Sequence, residues 1–121
     1  MTMAWPDVRR RLKTLGPGRA ILKCDGVGNR QIMNNDSEAI SIRTGVKTTQ
    51  TKAISYGMLE YAFEVLNQTG RFTSADFRRR FGQEYAAAPC RFSMTGGVLV
   101  EIGAARLVLG KREGGCAYEL A

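Results

Sequence analysis

The spacing of hydrophobic positions changes near residue 55 and divides the chain into two predicted parts. Before this point, short apolar runs alternate with turn residues, whereas after it apolar residues recur every three or four positions. The first pattern is typical of strands and the second of helices. We therefore expect an α+β protein of 121 residues, with an N-terminal extension over residues 1–54 and a second domain over residues 55–121.

A short helix is predicted near the N-terminus, over residues 6–15. Pro6 suits the first turn of a helix, and Asp7 lies where the helix dipole favours an anion. Val8, Leu12 and Leu15 fall on one apolar stripe. The Gly-Pro-Gly sequence that follows is expected to end the helix.

Three strand candidates come next, at residues 19–24, 29–33 and 39–43. The sequences between them, Asp-Gly and Asn-Asn-Asp, are typical of tight turns. These runs predict a small three-stranded antiparallel β-meander. Residues 44–53 are polar and threonine-rich, so we expect either an extended linker or a continuation of the third strand.

The second domain is predicted to contain three helices. Ser55 is the candidate N-cap of the first, its apolar residues recur at helical spacing, and Gly70 ends it. Thr73 or Ser74 caps a second helix over residues 75–81, and a third helix covers residues 93–102.

A β-hairpin is predicted at the C-terminus. Apolar runs at residues 107–109 and 116–120 flank a glycine-containing turn that carries Lys111 and Arg112. Two apolar runs joined by a short glycine-rich turn are typical of a hairpin.

Residues 55–121 resemble the winged helix-turn-helix superfamily of DNA-binding domains. The resemblance rests on the order of SYGMLEYAFEVL, GRFT, SADFRRRF, SMTGGVLVEI and the terminal hairpin. It implies a C-terminal winged helix, with three helices and a β-hairpin wing, preceded by the short helix and the meander. In that superfamily the third helix enters the major groove and the wing contacts a neighbouring groove or phosphates. By position, the expected groove-facing residues are Arg91, Ser93, Thr95 and Gly97, with Lys111 and Arg112 on the wing.

The third helix departs from this superfamily in its chemistry. Between Ser93 and Ile102 it has no Arg, Lys, Asn or Gln, the residue types that make most bidentate contacts to bases. It also contains Glu101, which phosphates would repel. Gly96 and Gly97 permit either close approach of a phosphate backbone or tight packing on the first helix of this domain, and we favour packing.

The chain carries a formal charge of +7 and has a pI near 9.8, which favours polyanionic partners. Residues 1–54 hold ten Lys/Arg against four Asp/Glu, whereas residues 55–121 hold eight against seven. A solvated basic surface without a partner is the alternative. The remaining candidate DNA contacts are Arg19, Lys23, Arg30, Arg43, Lys47 and Lys52 in the extension, and Arg78 and Arg79 on the second helix of the second domain.

Catalysis and metal binding are not expected. The chain has no histidine, no CxxC pair, no [DE]-x-K triplet and no phosphate-binding loop motif, so we predict neither an enzyme nor a cofactor. Cys24, Cys90 and Cys116 are expected to be small buried apolar residues, a usage that suits a reducing cytoplasm. No apolar run is long enough to predict a membrane span.

The sequence thus favours a small DNA-binding protein, either a transcriptional regulator or an accessory factor, that binds duplex DNA as a homodimer. The alternative is a protein–protein interaction module that joins a larger partner through a winged-helix scaffold. RNA binding through the meander is a third reading, disfavoured because Trp5 is the only aromatic residue before Tyr56.

Overall fold

The computed structural model describes residues 3–45, 49–110 and 115–121. Within these ranges the chain is a mixed α+β protein with four helices and two antiparallel sheets. In chain order the elements are α1 (Trp5–Leu12), β1 (Ala20–Leu22), β2 (Asn29–Asn35), β3 (Ala39–Arg43), β4 (Thr51–Ser55), α2 (Tyr56–Thr69), β5 (Arg71–Phe72), α3 (Ser74–Ala87), α4 (Cys90–Glu101), β6 (Ala105–Gly110) and β7 (Gly115–Leu120).

The N-terminal sheet, made of β1 to β4 in that order, has one strand more than the sequence predicts. For residues 51–53 both expectations are wrong, because residues 51–55 form a separate fourth strand antiparallel to β3. Ile54 pairs with Ile40, and both side chains are fully buried. Burying this pair of apolar side chains favours a strand over a solvated linker.

Helix α1 ends at Leu12, three residues before its predicted end. The Asn35 amide nitrogen donates hydrogen bonds of 2.8 and 3.0 Å to the carbonyls of Leu12 and Leu15. The Tyr56 hydroxyl donates in turn to the Asn35 side-chain oxygen at 2.9 Å. Carbonyls at the end of a helix need partners from outside it, so Asn35 fixes α1 on the N-terminal sheet. Asn34 and Asn35, which the sequence predicts as part of a turn, belong instead to strand β2, which has a bulge between Ile32 and Asn34.

Helix α2 begins and ends as the sequence predicts. The Ser55 hydroxyl accepts the Met58 N–H at 3.1 Å, and Gly70 closes the helix with a φ of 80° in the left-handed region. The cap of the next helix is also confirmed, since Thr73 and Asp76 satisfy each other's backbone N–H groups.

Helix α3 is twice as long as predicted, because Gly82 does not end it. The backbone leaves helical geometry only at Phe81, with φ −118° and ψ 46°, and the helix continues to Ala87. The continuation buries ring surface: the ring of Phe77 lies 5.5 Å from that of Phe81 and 6.3 Å from that of Tyr85. The contacts of these aromatic side chains outweigh the low helix propensity of glycine.

The predicted C-terminal hairpin is confirmed. Strands β6 and β7 pair antiparallel from Ala105 with Leu120 to Gly110 with Gly115. Strand β5 pairs with the other edge of β7, so the C-terminal sheet has the order β5-β7-β6. Buried residues of the extension and of the second domain belong to one hydrophobic core.

Helix α4 lies between the two sheets at contact distance from both. A Cβ atom at Gly96 would clash with the Cε2, Cζ and Cδ2 atoms of the Tyr118 ring on β7. A Cβ atom at Gly97 would lie 2.5 Å from the Ile21 Cγ2 and 2.8 Å from the Leu22 carbonyl oxygen on β1. The two glycines therefore serve packing, as expected, although their neighbours are the two sheets rather than a helix.

A disulfide joins the same two sheets. Cys24, just after β1, is bonded to Cys116 on β7, with Cα atoms 5.6 Å apart. The expectation that every cysteine is a separate buried apolar residue is therefore wrong for these two. Their separation of 92 residues conceals the pairing in the sequence, whereas the shared packing of β1 and β7 around α4 brings them together.

Replacing Gly96 or Gly97 by alanine should destabilise the fold by about 1–3 kcal/mol, because each new methyl group meets buried atoms. Thermal unfolding should show a midpoint lower by roughly 4–10 °C. Gly82→Ala is the matched control, since nothing lies within 4 Å of its Cβ position. Equal midpoints for all three variants would contradict the close packing of α4.

Reducing the disulfide should lower the free energy of unfolding by about 2–5 kcal/mol, because the closed loop spans most of the chain. Denaturant unfolding with and without dithiothreitol measures this change. The Cys24→Ser/Cys116→Ser double variant should have the free energy of unfolding of the reduced protein, and dithiothreitol should not change it. Cys90→Ser should show the same dependence on dithiothreitol as the parent. A parent protein whose stability ignores reductant would contradict the cross-link.

Candidate nucleic-acid interface

The side chains predicted to face a DNA groove from α4 lie in the interior. Ser93 is 6% exposed and Thr95 is fully buried. The Ser93 hydroxyl donates to the Cys90 carbonyl at 3.0 Å, and the Thr95 hydroxyl donates to the Arg91 carbonyl at 2.7 Å. The prediction that both face a groove is wrong, because the N-terminal sheet occupies the space beside this helix. Gly97 is buried by the same contact.

Arg91 links α4 to two other elements by hydrogen bonds. Its Nε donates to the Ala53 carbonyl of β4 at 3.1 Å, and its Nη1 donates to the Glu84 carbonyl of α3 at 3.0 Å. A guanidinium that donates to two carbonyls has fewer donors left for a phosphate. Arg91 was predicted to face DNA, and the structure places it instead at the junction of β4, α3 and α4.

The cations of the N-terminal sheet do not share one face. Arg30 pairs with Ile21 and Lys52 pairs with Ile42, so both side chains start on the face that carries the buried isoleucines. Arg30 is half-buried and donates from Nη1 to the Ser93 hydroxyl at 3.0 Å. The alternation of the strands therefore divides the candidate cations of the meander between its two faces.

Two further predicted contacts lie at the margins of this sheet. Arg19 is exposed but ion-paired, with its Nε 2.7 Å from the Glu101 carboxylate. Lys23 is half-buried in a turn that Asp25 stabilises. Backbone N–H groups of Val27 and Gly28 donate to Asp25, and they hold the pKa of its carboxyl below the usual value.

Arg43 lies on the outer face of the N-terminal sheet. Its Nη2 donates to the Gln31 side-chain oxygen at 3.2 Å across the β2–β3 pair. Neighbouring outer-face positions carry Asn34, Ser41 and Thr51, which are amides and hydroxyls. Of the meander cations that the structure describes, Arg43 is the one set among acid-free polar neighbours on this face.

The densest exposed basic run of residues 55–121 that the structure describes is on α3, where Arg78, Arg79 and Arg80 are all exposed; α1 carries a comparable exposed run at residues 9–13. Each is held by a neighbour: the Arg78 guanidinium lies 5.4 Å from the centre of the Tyr85 ring, and that of Arg80 lies 5.4 Å from the centre of the Tyr61 ring. Arg79 Nη1 lies 3.4 Å from the Asp76 carboxylate. We call these three residues the α3 arginine cluster.

A groove of about 630 Å³ runs beside this cluster. Arg78 and Arg79 line it together with Tyr85, and Gly82 leaves open space at its Cβ position. Guanidinium groups beside an unobstructed backbone suit contact with phosphates.

Tyr61 and Tyr85 are the members of this site that sequence reasoning did not identify. Tyr85 follows Arg78 by seven residues, so the two lie on one helix face two turns apart. This spacing indicates a contact only if the helix continues beyond Gly82, which the sequence does not predict. Tyr61 belongs to α2, and no local signal links it to Arg80.

Three predicted contacts, Lys47, Lys111 and Arg112, lie outside the described residues. The structure neither joins them to the α3 arginine cluster nor separates them from it.

Comparisons with known proteins give no relative for this chain. No protein-family model matches it, and neither the curated proteins nor the solved structures include a significant match. Among the described residues, no helix combines the length and the apolar character needed to cross a membrane.

Proposed function

We propose that this protein is a small DNA-binding protein that holds the phosphate backbone of a duplex through the α3 arginine cluster. The observation that carries the proposal is the presence of three consecutive exposed guanidinium groups on α3, each held by a neighbouring side chain, in a chain with a charge of +7. Phosphate contacts of this kind give affinity without reading bases.

The winged-helix reading supports this placement. Residues 55–121 run helix, strand, helix, helix, strand, strand, with the sheet order β5-β7-β6, as expected of a winged helix. In that reading α4 is the recognition helix, but the N-terminal sheet covers it and its buried residues offer no groups for base edges. We propose that α4 acts as a scaffold and that α3, the helix before it, contacts DNA.

A second candidate function is a protein–protein interaction module. The observation that favours it is the burial of every residue from Phe92 to Leu99. These residues of α4, the helix that would read a DNA sequence, cannot reach the edges of bases. This candidate predicts no binding to any duplex and stable association with a larger partner.

Neutralising the cluster by Arg78→Gln/Arg79→Gln/Arg80→Gln should weaken binding to a random duplex by at least about tenfold at low salt. The slope of log affinity against log salt should fall by roughly 2–3, since about 0.9 counterion is released per phosphate contact. Mobility-shift titrations at two or more salt concentrations measure both changes.

The matched control removes the same charge from α1, as Arg9→Gln/Arg10→Gln/Lys13→Gln at exposed positions. This variant should bind within about threefold of the parent at the higher salt concentration, where long-range electrostatics are screened. Equal losses in both triple variants would point to net charge alone, and a parent that binds no duplex would support the interaction module instead.

A further inference from the structure

A second groove, of about 330 Å³, opens on the N-terminal sheet. The strand register explains its shape, since Ala20, Gln31 and Arg43 stand in one row across β1, β2 and β3. Ala20 contributes only a methyl group beside two long side chains, which leaves a depression over β1. Asn29, Arg30 and Gly45 line the same groove.

The lining of this groove is rich in hydrogen-bond donors and contains no carboxylate. Because Gln31 accepts from Arg43 through its side-chain oxygen, its amide nitrogen keeps both of its donor hydrogens free of that contact. The Arg43 guanidinium uses Nη2 for that bond and retains further donors. Within the described part of the chain, no ion pair involves Arg43.

We infer that this groove, lined by Ala20, Asn29, Arg30, Gln31, Arg43 and Gly45, binds a phosphate group. A guanidinium with neighbouring amide donors matches the charge and the acceptor oxygens of a phosphate. The groove lies at the small end of the size range of ligand sites. The phosphate belongs either to a nucleic-acid backbone or to a small phosphate ester. The inference that the groove binds phosphate does not depend on the proposed function; only the assignment of that phosphate to DNA does.

The test is an NMR titration of the intact, disulfide-bonded, ¹⁵N-labelled protein with inorganic phosphate and, separately, with a short DNA duplex, at ionic strength held constant with chloride. We expect saturable shifts of the Gln31 and Asn29 side-chain amides with at least one probe. Arg43→Gln should weaken that binding by at least about tenfold, since it removes the guanidinium on the outer face of this row, whereas the other lining cation among the described residues, Arg30, starts on the opposite face. Ser41→Ala, on the same face but outside the groove, should leave it unchanged.

A second variant, Ala20→Met, fills the depression at an exposed position without changing charge, and it should abolish the shifts while the rest of the spectrum is retained. Saturable shifts with the duplex at lower concentration than with phosphate assign the groove to DNA, and shifts with phosphate alone assign it to a small ester. The inference is overturned if neither probe gives saturable shifts, or if both groove variants bind like the parent. The α3 triple variant separates the two proposals, because it should lose duplex affinity and keep the phosphate response of this groove.

Discussion

The contact of α4 with both sheets is the constraint on which the rest of the structure depends. Two adjacent residues without side chains, Gly96 and Gly97, let the helix approach the Tyr118 ring on one side and the β1 backbone on the other. Because the Tyr118 ring and the Ile21 side chain are buried, neither gap can be widened without loss of close packing. The Cys24–Cys116 disulfide ties together the two sheets that this helix separates.

This constraint determines which surfaces remain for a partner. Covering α4 buries Ser93 and Thr95 and leaves Arg91 occupied with carbonyls of β4 and α3. Cations that a polyanion can reach lie elsewhere, in the α3 arginine cluster, at Arg43 and along the exposed side of α1. The α3 arginine cluster and Arg43 offer guanidinium groups held in place by neighbours, which reduces the conformational entropy lost on binding. The proposed function is accordingly contact with the phosphate backbone of DNA rather than recognition of its bases.

Local signals predicted the elements well, and long-range packing was not predictable from them. The Ser55 cap, the Gly70 terminus and the hairpin depend on residues close in sequence, and all three are confirmed. The fourth strand of the N-terminal sheet was missed because a single buried isoleucine specifies it by pairing across to β3. The burial of α4 and the disulfide depend on contacts between distant segments. A list of charged residues could therefore suggest a partner class, but it could not show which cations share a surface.

The most direct test of this account is hydrogen exchange of the α4 amides in the free protein and in complex with a DNA duplex, measured on the disulfide-bonded form. If α4 is a scaffold held between two sheets, its amides from Phe92 to Leu99 should be strongly protected in both states, and changes on binding should be confined to α3 and the outer face of the N-terminal sheet. Loss of protection along α4 in the complex would mean that the N-terminal sheet separates from the helix to let DNA approach it, and would contradict the account.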